Sequence, residues 1–141
     1  MLRLALGFAV FLAQLSAPGN NLPQVMTASF KSAPKAGQKS DITVSFELVR
    51  GFAINRTPPI SLKLSPVPGI KLDKTEVSSS PNDPKSKDEY YVDLPVLKVP
   101  LLASKAGNYE IPAKLTYFFC SKKDGFCSKQ AYDVKIPVKV Q

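Results

Sequence analysis

Residues 42–48 read ITVSFEL, and every second residue of this stretch carries a large apolar side chain. The four apolar members are Ile42, Val44, Phe46 and Leu48. Successive side chains of a β-strand point to opposite faces, so this alternation predicts a strand with one buried face and one wet face. The same pattern recurs in residues 60–64, in residues 109–117 and in the C-terminal residues 132–140.

Weaker strand patterns lie in residues 24–30, 69–77 and 90–102. Segments rich in Pro and Gly separate the strands, namely residues 34–37, 57–59, 66–69 and 105–108. No window of twelve residues has the 3.6-residue period of an amphipathic helix. Seven or so short strands with regular turns predict an all-β chain folded as an immunoglobulin-like antiparallel β-sandwich. A small barrel is the alternative.

Four prolines, Pro95, Pro100, Pro112 and Pro137, fall inside strand patterns. Proline cannot donate a hydrogen bond to a β-ladder, so we expect these positions at edges, strand ends or bulges. Prolines also block pairing between exposed sheet edges, which favours a monomer. The polar residues 78–87 (SSSPNDPKSK) are the most loop-like part of the sequence.

The composition restricts the function classes. The 141 residues suit one domain and include no His and two Cys. Without His, Ser-His-Asp catalysis, Cys-His catalysis and imidazole metal sites are excluded. Lys and Arg outnumber Asp and Glu by 19 to 11, but no arginine cluster or basic stripe with interleaved aromatics is present. We therefore expect no nucleic-acid partner and interpret the net charge of +8 as solubilising.

The N-terminus has the layout of a secretory signal peptide. Arg3 precedes an apolar run over residues 4–12, and the small residues Ser16 and Ala17 follow it. We expect residues 1–17 to be removed and residues 18–141 to form one domain outside the cytosol, periplasmic or secreted. No other apolar stretch approaches the roughly 20 residues of a membrane span, so the mature chain should contain none.

Cys120 and Cys127 enclose the six residues SKKDGF. Asp124-Gly125 is a strong tight-turn dipeptide, which predicts two neighbouring antiparallel strands with a thiol at the end of each. At that spacing, and in an oxidising compartment, the two thiols are expected to form a disulfide.

The pair has two competing interpretations. It is either a structural staple or a redox pair that exchanges with thiols of other proteins. In the redox interpretation, the positive charges of Lys122, Lys123 and Lys129 would stabilise a thiolate, and the negative charge of Asp124 would oppose them. A third interpretation, a metal chaperone that uses two thiolates, is disfavoured because Met is scarce and His is absent. We expect no metal and no organic cofactor.

The order of several short motifs carries a family resemblance. They are GNY and LTY within residues 107–117, Cys120 to the GFC of residues 125–127, VKIPV at 134–138, LVRGFAIN at 48–55, PP at 58–59, SLKL at 61–64 and PGI at 68–70. Together they resemble the N-terminal domain of the DsbD thiol–disulfide interchange family over residues 24–140.

The resemblance implies a periplasmic, bacterial, immunoglobulin-like domain with Cys120 and Cys127 as its reactive pair. Such a domain passes electrons from a membrane-embedded thiol reductant to periplasmic thiol–disulfide proteins. The family shields its cysteines with an aromatic cap loop, for which Tyr90 or Tyr91 are the candidates in this sequence. The alternative function is a non-enzymatic protein-binding module in which Cys120–Cys127 is a structural disulfide.

Overall fold

The computed structural model describes residues 23–141, so the expected signal peptide lies outside the described residues. The strands are β1 (Met26–Lys31), β2 (Lys39–Leu48), β3 (Phe52–Ile54), β4 (Ser61–Leu64), β5 (Ile70–Leu72), β6 (Glu76–Ser78), β7 (Leu97–Ala103), β8 (Gly107–Ser121) and β9 (Cys127–Val140). From residue 23 to the end of the chain, no helix is long and apolar enough to cross a membrane.

The strands form two antiparallel sheets. The first has the order β1-β2-β7-β5. In the second, the long strand β8 pairs with β9 along one edge and with both β3 and β4 along the other, and β6 pairs with β4. This arrangement confirms the predicted immunoglobulin-like β-sandwich. The small barrel is wrong, because within residues 23–141 no ladder joins the two sheets into a closed cylinder.

The core lies between the sheets and follows the alternation in the sequence. Along β8 the odd-numbered side chains from Ile111 to Phe119 are buried. They face apolar side chains of β2 and β7, among them Ile42, Val44 and Val99, which are fully buried. Each such side chain contributes roughly 1.5–3 kcal/mol through removal from water, so this shared core holds the sheets together.

Two of the weaker strand predictions were partly wrong. Residues 69–77 form not one strand but two, since β5 pairs with β7 in the first sheet and β6 pairs with β4 in the second. Residues 73–75, all exposed, carry the chain between the sheets. The predicted strand 90–102 begins only at Leu97, because the Asp83 carboxylate accepts hydrogen bonds from the amides of Val92 and Asp93 and draws these donors away from a ladder.

The prolines occupy the positions that their missing amide hydrogen favours. Pro137 lies in the edge strand β9, and Pro95 precedes β7. Pro100 and Pro112 lie in the interior strands β7 and β8. The pairing of β7 with β5 ends at Leu101, and the pairing of β8 with β4 ends at Ala113, so each proline lies one residue outside the paired stretch on that side. At such positions a strand needs no amide donor on its unpaired side.

A buried polar network joins the two sheets near the start of β1. The Tyr117 hydroxyl accepts a hydrogen bond from the Met26 amide at 3.2 Å and donates one to Gln130 Oε1. The same oxygen of Gln130 accepts from the Val25 amide at 3.1 Å. Burial raises the pKa of Tyr117 to about 12, because ionisation would place a charge inside the core.

Candidate functional site: the disulfide end of the sandwich

The β8–β9 hairpin brings the two cysteines together. Its ladder runs without interruption from the pair Gly107–Val140 to the pair Cys120–Cys127. In the turn, the Gly125 amide donates to the Ser121 carbonyl at 3.0 Å. Gly125 has a φ of 71°, a left-handed conformation that glycine adopts without a steric penalty. The Asp-Gly turn and the paired strands predicted from the sequence are therefore confirmed.

Cys120 and Cys127 form a disulfide with an S–S distance of 1.98 Å and Cα atoms 3.9 Å apart. Just beyond this last pair of the ladder, the Ser121 amide donates to the Phe126 carbonyl at 2.8 Å. The cysteines thus occupy a non-hydrogen-bonded position, where opposite side chains of antiparallel strands come closest. The predicted disulfide is confirmed, and its place in the ladder explains why the two sulfurs meet.

The two cysteines differ in exposure. Cys127 is exposed, whereas Cys120 is only 4% exposed. Cys120 lies on the even-numbered face of β8, whose earlier members Glu110, Pro112 and Lys114 are all in water. Its burial therefore marks a place where other parts of the chain cover the outer face of the sheet. Ala53 of β3 lies directly opposite Cys120 and is buried too.

Asn55 contributes a polar contact to the buried sulfur. Its Oδ1 atom lies 3.6 Å from Cys120 Sγ. The Asn55 amide donates to the Phe118 carbonyl at 2.9 Å, and Asn55 also forms an isolated β-bridge with Tyr90. Asn55 therefore stands between β8 and the segment around Tyr90. Sequence reasoning used Asn55 only as the last residue of the LVRGFAIN motif and gave its side chain no part in the site; a polar residue directly after an apolar strand was the available signal.

The two cap candidates lie in different environments. Tyr91 is buried in the core, where its hydroxyl donates to the Ser80 carbonyl and lies 3.0 Å from the Ser79 hydroxyl. Tyr90 is half-buried and forms the bridge with Asn55, whose side chain contacts Cys120 Sγ. A hydrogen bond with Glu89 raises the pKa of Tyr90. The structure thus brings Tyr90 close to the cysteine pair and places Tyr91 in the interior.

The segment that carries these tyrosines is held by side chains on both sides. The Arg56 guanidinium donates to the carbonyls of Pro81 and Asp88. The Asp83 carboxylate accepts from the amides of Lys85, Val92 and Asp93. Desolvation raises the pKa of Asp83, but these hydrogen bonds outweigh it and hold the pKa below its ordinary value. Residues 81–93 are therefore tied by side-chain hydrogen bonds to Arg56 and, through Asp83, to one another.

The predicted basic residues lie around the turn. Lys122 and Lys123 are exposed, and the Lys122 amide donates to the Gly51 carbonyl at 2.9 Å. Lys122 also borders a cleft of about 310 Å³ whose lining includes Ala53, Asp88 and Tyr90. The Lys129 ammonium lies 6.0 Å from the centre of the Phe118 ring. Lys122 is thus the lysine that the structure connects with the surroundings of Cys120.

Three large apolar side chains are exposed at the same end of the sandwich. Phe126, next to Cys127, is 39% exposed, and its ring centre is 6.1 Å from that of Phe119. Val49 lies in the turn between β2 and β3, and Val92 lines the cleft beside Lys122. We call Val49, Val92 and Phe126 the apolar rim.

The part of the chain from residue 23 onward contains no group of three or more His, Cys, Asp or Glu side chains able to hold a metal ion. The two thiols that a metal chaperone would use are bonded to each other.

No protein-family model matches the chain, and no curated protein matches it. Among solved structures, it is similar to a cohesin module from a family 33 glycoside hydrolase of Clostridium perfringens ATCC13124. The identity is 12%, the TM-score is 0.42, and the match covers 83% of this chain and 97% of the module. A likeness at this level carries no information about function.

Proposed function

We propose that the chain is an exported thiol–disulfide interchange domain that passes electrons through Cys120 and Cys127. The observation that carries the proposal is the asymmetric disulfide, with Cys127 exposed and Cys120 buried. An exchange protein needs one sulfur that a partner can reach and a second sulfur that stays within bonding distance. The resemblance to the N-terminal domain of the DsbD family supports the same role, with a membrane-embedded reductant as donor and periplasmic thiol–disulfide proteins as acceptors.

The difference in exposure supports one order of events. A thiolate of the reducing partner attacks Cys127 Sγ, the Cys120–Cys127 bond breaks, and Cys120 Sγ leaves as a thiolate that takes up a proton. The partner's second thiolate then attacks its own sulfur in the mixed disulfide and releases Cys127. The domain has gained two electrons and the partner has become a disulfide. Reduced Cys127 next attacks the disulfide of the acceptor, and Cys120 resolves that second mixed disulfide.

The surroundings of Cys127 suit a transient contact with another protein. The apolar rim (Val49, Val92 and Phe126) supplies exposed hydrophobic surface at this end of the sandwich. Lys122 and Lys123 add positive charge beside it, which would stabilise a thiolate at Cys127. We propose that a partner protein docks on the apolar rim and so places its own thiol over the exposed sulfur.

The second candidate function is a protein-binding module in which the disulfide is a passive staple. The burial of Cys120 favours it, because a covered sulfur is protected from attack. The two functions differ in the reduction potential of the cysteine pair. Structural disulfides lie below about −300 mV, whereas exchange proteins lie between roughly −120 and −270 mV.

The deciding experiment equilibrates the protein, residues 18–141, in glutathione and dithiothreitol buffers and measures the fraction oxidised. A potential within the exchange range supports the proposal, and a potential below about −300 mV contradicts it.

The roles of the two sulfurs are tested with single-cysteine variants. Cys120→Ser leaves the exposed thiol and should form a mixed disulfide with a small aromatic disulfide at least tenfold faster than Cys127→Ser, which leaves the buried one. Equal rates would contradict the assigned order of events.

A further inference from the structure

The contact between Asn55 and Cys120 changes its nature with the redox state. In the disulfide, Cys120 Sγ carries no hydrogen and cannot donate to Asn55 Oδ1, although the two atoms are 3.6 Å apart. Across residues 23–141, the Asn55 side chain has no hydrogen-bond partner besides this sulfur. In the oxidised protein, no donor group of residues 23–141 hydrogen-bonds to this amide oxygen, which faces the disulfide.

Reduction supplies the missing hydrogen. A dithiol such as dithiothreitol gives the disulfide two electrons and two protons and becomes a disulfide itself, leaving a thiol on Cys120 and another on Cys127. The Cys120 S–H group can then donate to Asn55 Oδ1, because the present separation already lies within hydrogen-bond range for sulfur. We propose that Asn55 is a positioning residue that stabilises the reduced domain through this hydrogen bond and thereby raises the reduction potential of the pair.

The backbone around Asn55 makes this hydrogen bond favourable. Asn55 is held by its amide hydrogen bond to the Phe118 carbonyl and by its bridge to Tyr90, neither of which involves the side chain. The acceptor is therefore in place before reduction. Cys120 is 4% exposed, so water has little access to its thiol, and a buried donor left without a partner is unfavourable.

The experiment compares the reduction potentials of the wild-type protein, Asn55→Leu, Asn55→Asp and the control Asn108→Leu. Leucine keeps the volume of the side chain but removes the acceptor, whereas aspartate keeps an acceptor oxygen. Asn108 is exposed on the same strand as Cys120 and lies twelve residues earlier, roughly 40 Å along β8. Its replacement reports any general effect of exchanging a polar asparagine for leucine on this protein.

We expect Asn55→Leu to shift the thiol–disulfide equilibrium about fivefold toward the disulfide, the usual effect of losing one buried hydrogen bond. At 29.6 mV per tenfold change, this lowers the potential by about 20 mV. Asn55→Asp should stay at or above the wild-type potential, and Asn108→Leu should match it. The proposal is overturned if Asn55→Leu leaves the potential unchanged, or if Asn55→Asp falls as far as Asn55→Leu.

A measurement on the wild-type protein covers the case in which Asn55→Leu does not fold. The infrared S–H stretch of the reduced protein should show one thiol shifted to lower frequency by hydrogen bonding and one thiol at the frequency of a solvated cysteine. Two unshifted bands would overturn the proposal.

This inference rests on the proposed function for its biological meaning, but its failure can be distinguished from failure of the proposed function. The absolute wild-type potential tests thiol–disulfide exchange, whereas the difference between variants tests Asn55.

Discussion

Reduction of the Cys120–Cys127 bond should weaken the fold without unfolding it. The disulfide closes a short loop with a sequence separation of 7. In the chain-entropy treatment, a loop of this size stabilises the folded state by roughly 2.5 kcal/mol at 25 °C. The β8–β9 ladder above the disulfide extends from Gly107–Val140 to Phe119–Ser128 and does not depend on the bond. The hairpin should therefore remain paired after reduction, because its buried side chains still anchor it in the core.

The loss of stability on reduction is measured by urea unfolding with and without dithiothreitol, with far-UV circular dichroism as the signal. With a slope of about 1.5 kcal/mol/M, typical of a domain of this size, the midpoint should fall by roughly 1.5–2 M on reduction. The variant Cys120→Ala/Cys127→Ser, studied without reductant, is the control and should unfold at the midpoint of the reduced wild-type protein. Alanine suits the buried position and serine the exposed one.

The reasoning is refuted if the reduced protein shows no cooperative transition, or if reduction lowers the free energy of unfolding by more than about 5 kcal/mol, beyond the usual range for a disulfide. Either result would mean that the disulfide, and not the core, holds the hairpin. An interchange domain has to stay folded in both redox states, so the same result would also count against the proposed function.

Three further predictions concern the core and a turn. Tyr117→Phe leaves the Met26 amide without its partner and should lower the free energy of unfolding by about 1–3 kcal/mol, measured by urea unfolding. Because the pKa of Tyr117 is raised to about 12 from the ordinary 10.0, the protein should lose up to roughly 3 kcal/mol of stability between pH 10 and pH 12, with no loss from this group below pH 10. Gly69→Ala places a Cβ atom 2.9 Å from the Tyr109 ring at a φ of 87°, and should lower the free energy of unfolding by about 2 kcal/mol, measured by thermal unfolding. The control Gly37→Ala has a positive φ but open space around it, and should lower the free energy of unfolding by only about 1 kcal/mol.

Each of these predictions has a specific contradicting outcome. Full stability of Tyr117→Phe would mean that the Met26 amide finds another partner. The Tyr117→Phe variant should lose less stability at high pH than the wild-type protein, and equal losses would assign the alkaline effect to other groups. Equal melting temperatures of Gly69→Ala and Gly37→Ala would show that the Tyr109 ring moves aside at no cost.

Strand positions were predictable where the local pattern was strong. The alternation over residues 42–48 and 109–117 reappears in β2 and β8, because both strands bury one face in a core that the other sheet completes. The prediction for residues 69–77 was partly wrong because alternation reports a buried face and does not say which sheet buries it. The hydrogen bonds of Asp83 to the amides of Val92 and Asp93 also lay beyond sequence reasoning, since they join residues nine and ten positions apart across a loop.

For the cysteine pair, one property was predictable from the sequence and another was not. Its pairing followed from the sequence, because six intervening residues with an Asp-Gly turn favour a hairpin whose strands place the two thiols opposite each other. The difference in exposure between Cys120 and Cys127 did not follow. Cys127 is the first residue of β9 and Cys120 is the last but one of β8, and the packing of β3 and of the segment around Tyr90 covers Cys120 alone.

By itself, the sequence determined the all-β class, the main strands, the turn and the disulfide, because these depend on residues within about ten positions of one another. Tertiary structure alone decided which strands share a sheet, which cysteine is exposed and that Asn55 approaches Cys120 across 65 residues of chain. Such contacts depend on how the two sheets stack and on which loops cross them, and no local pattern of side chains encodes that geometry.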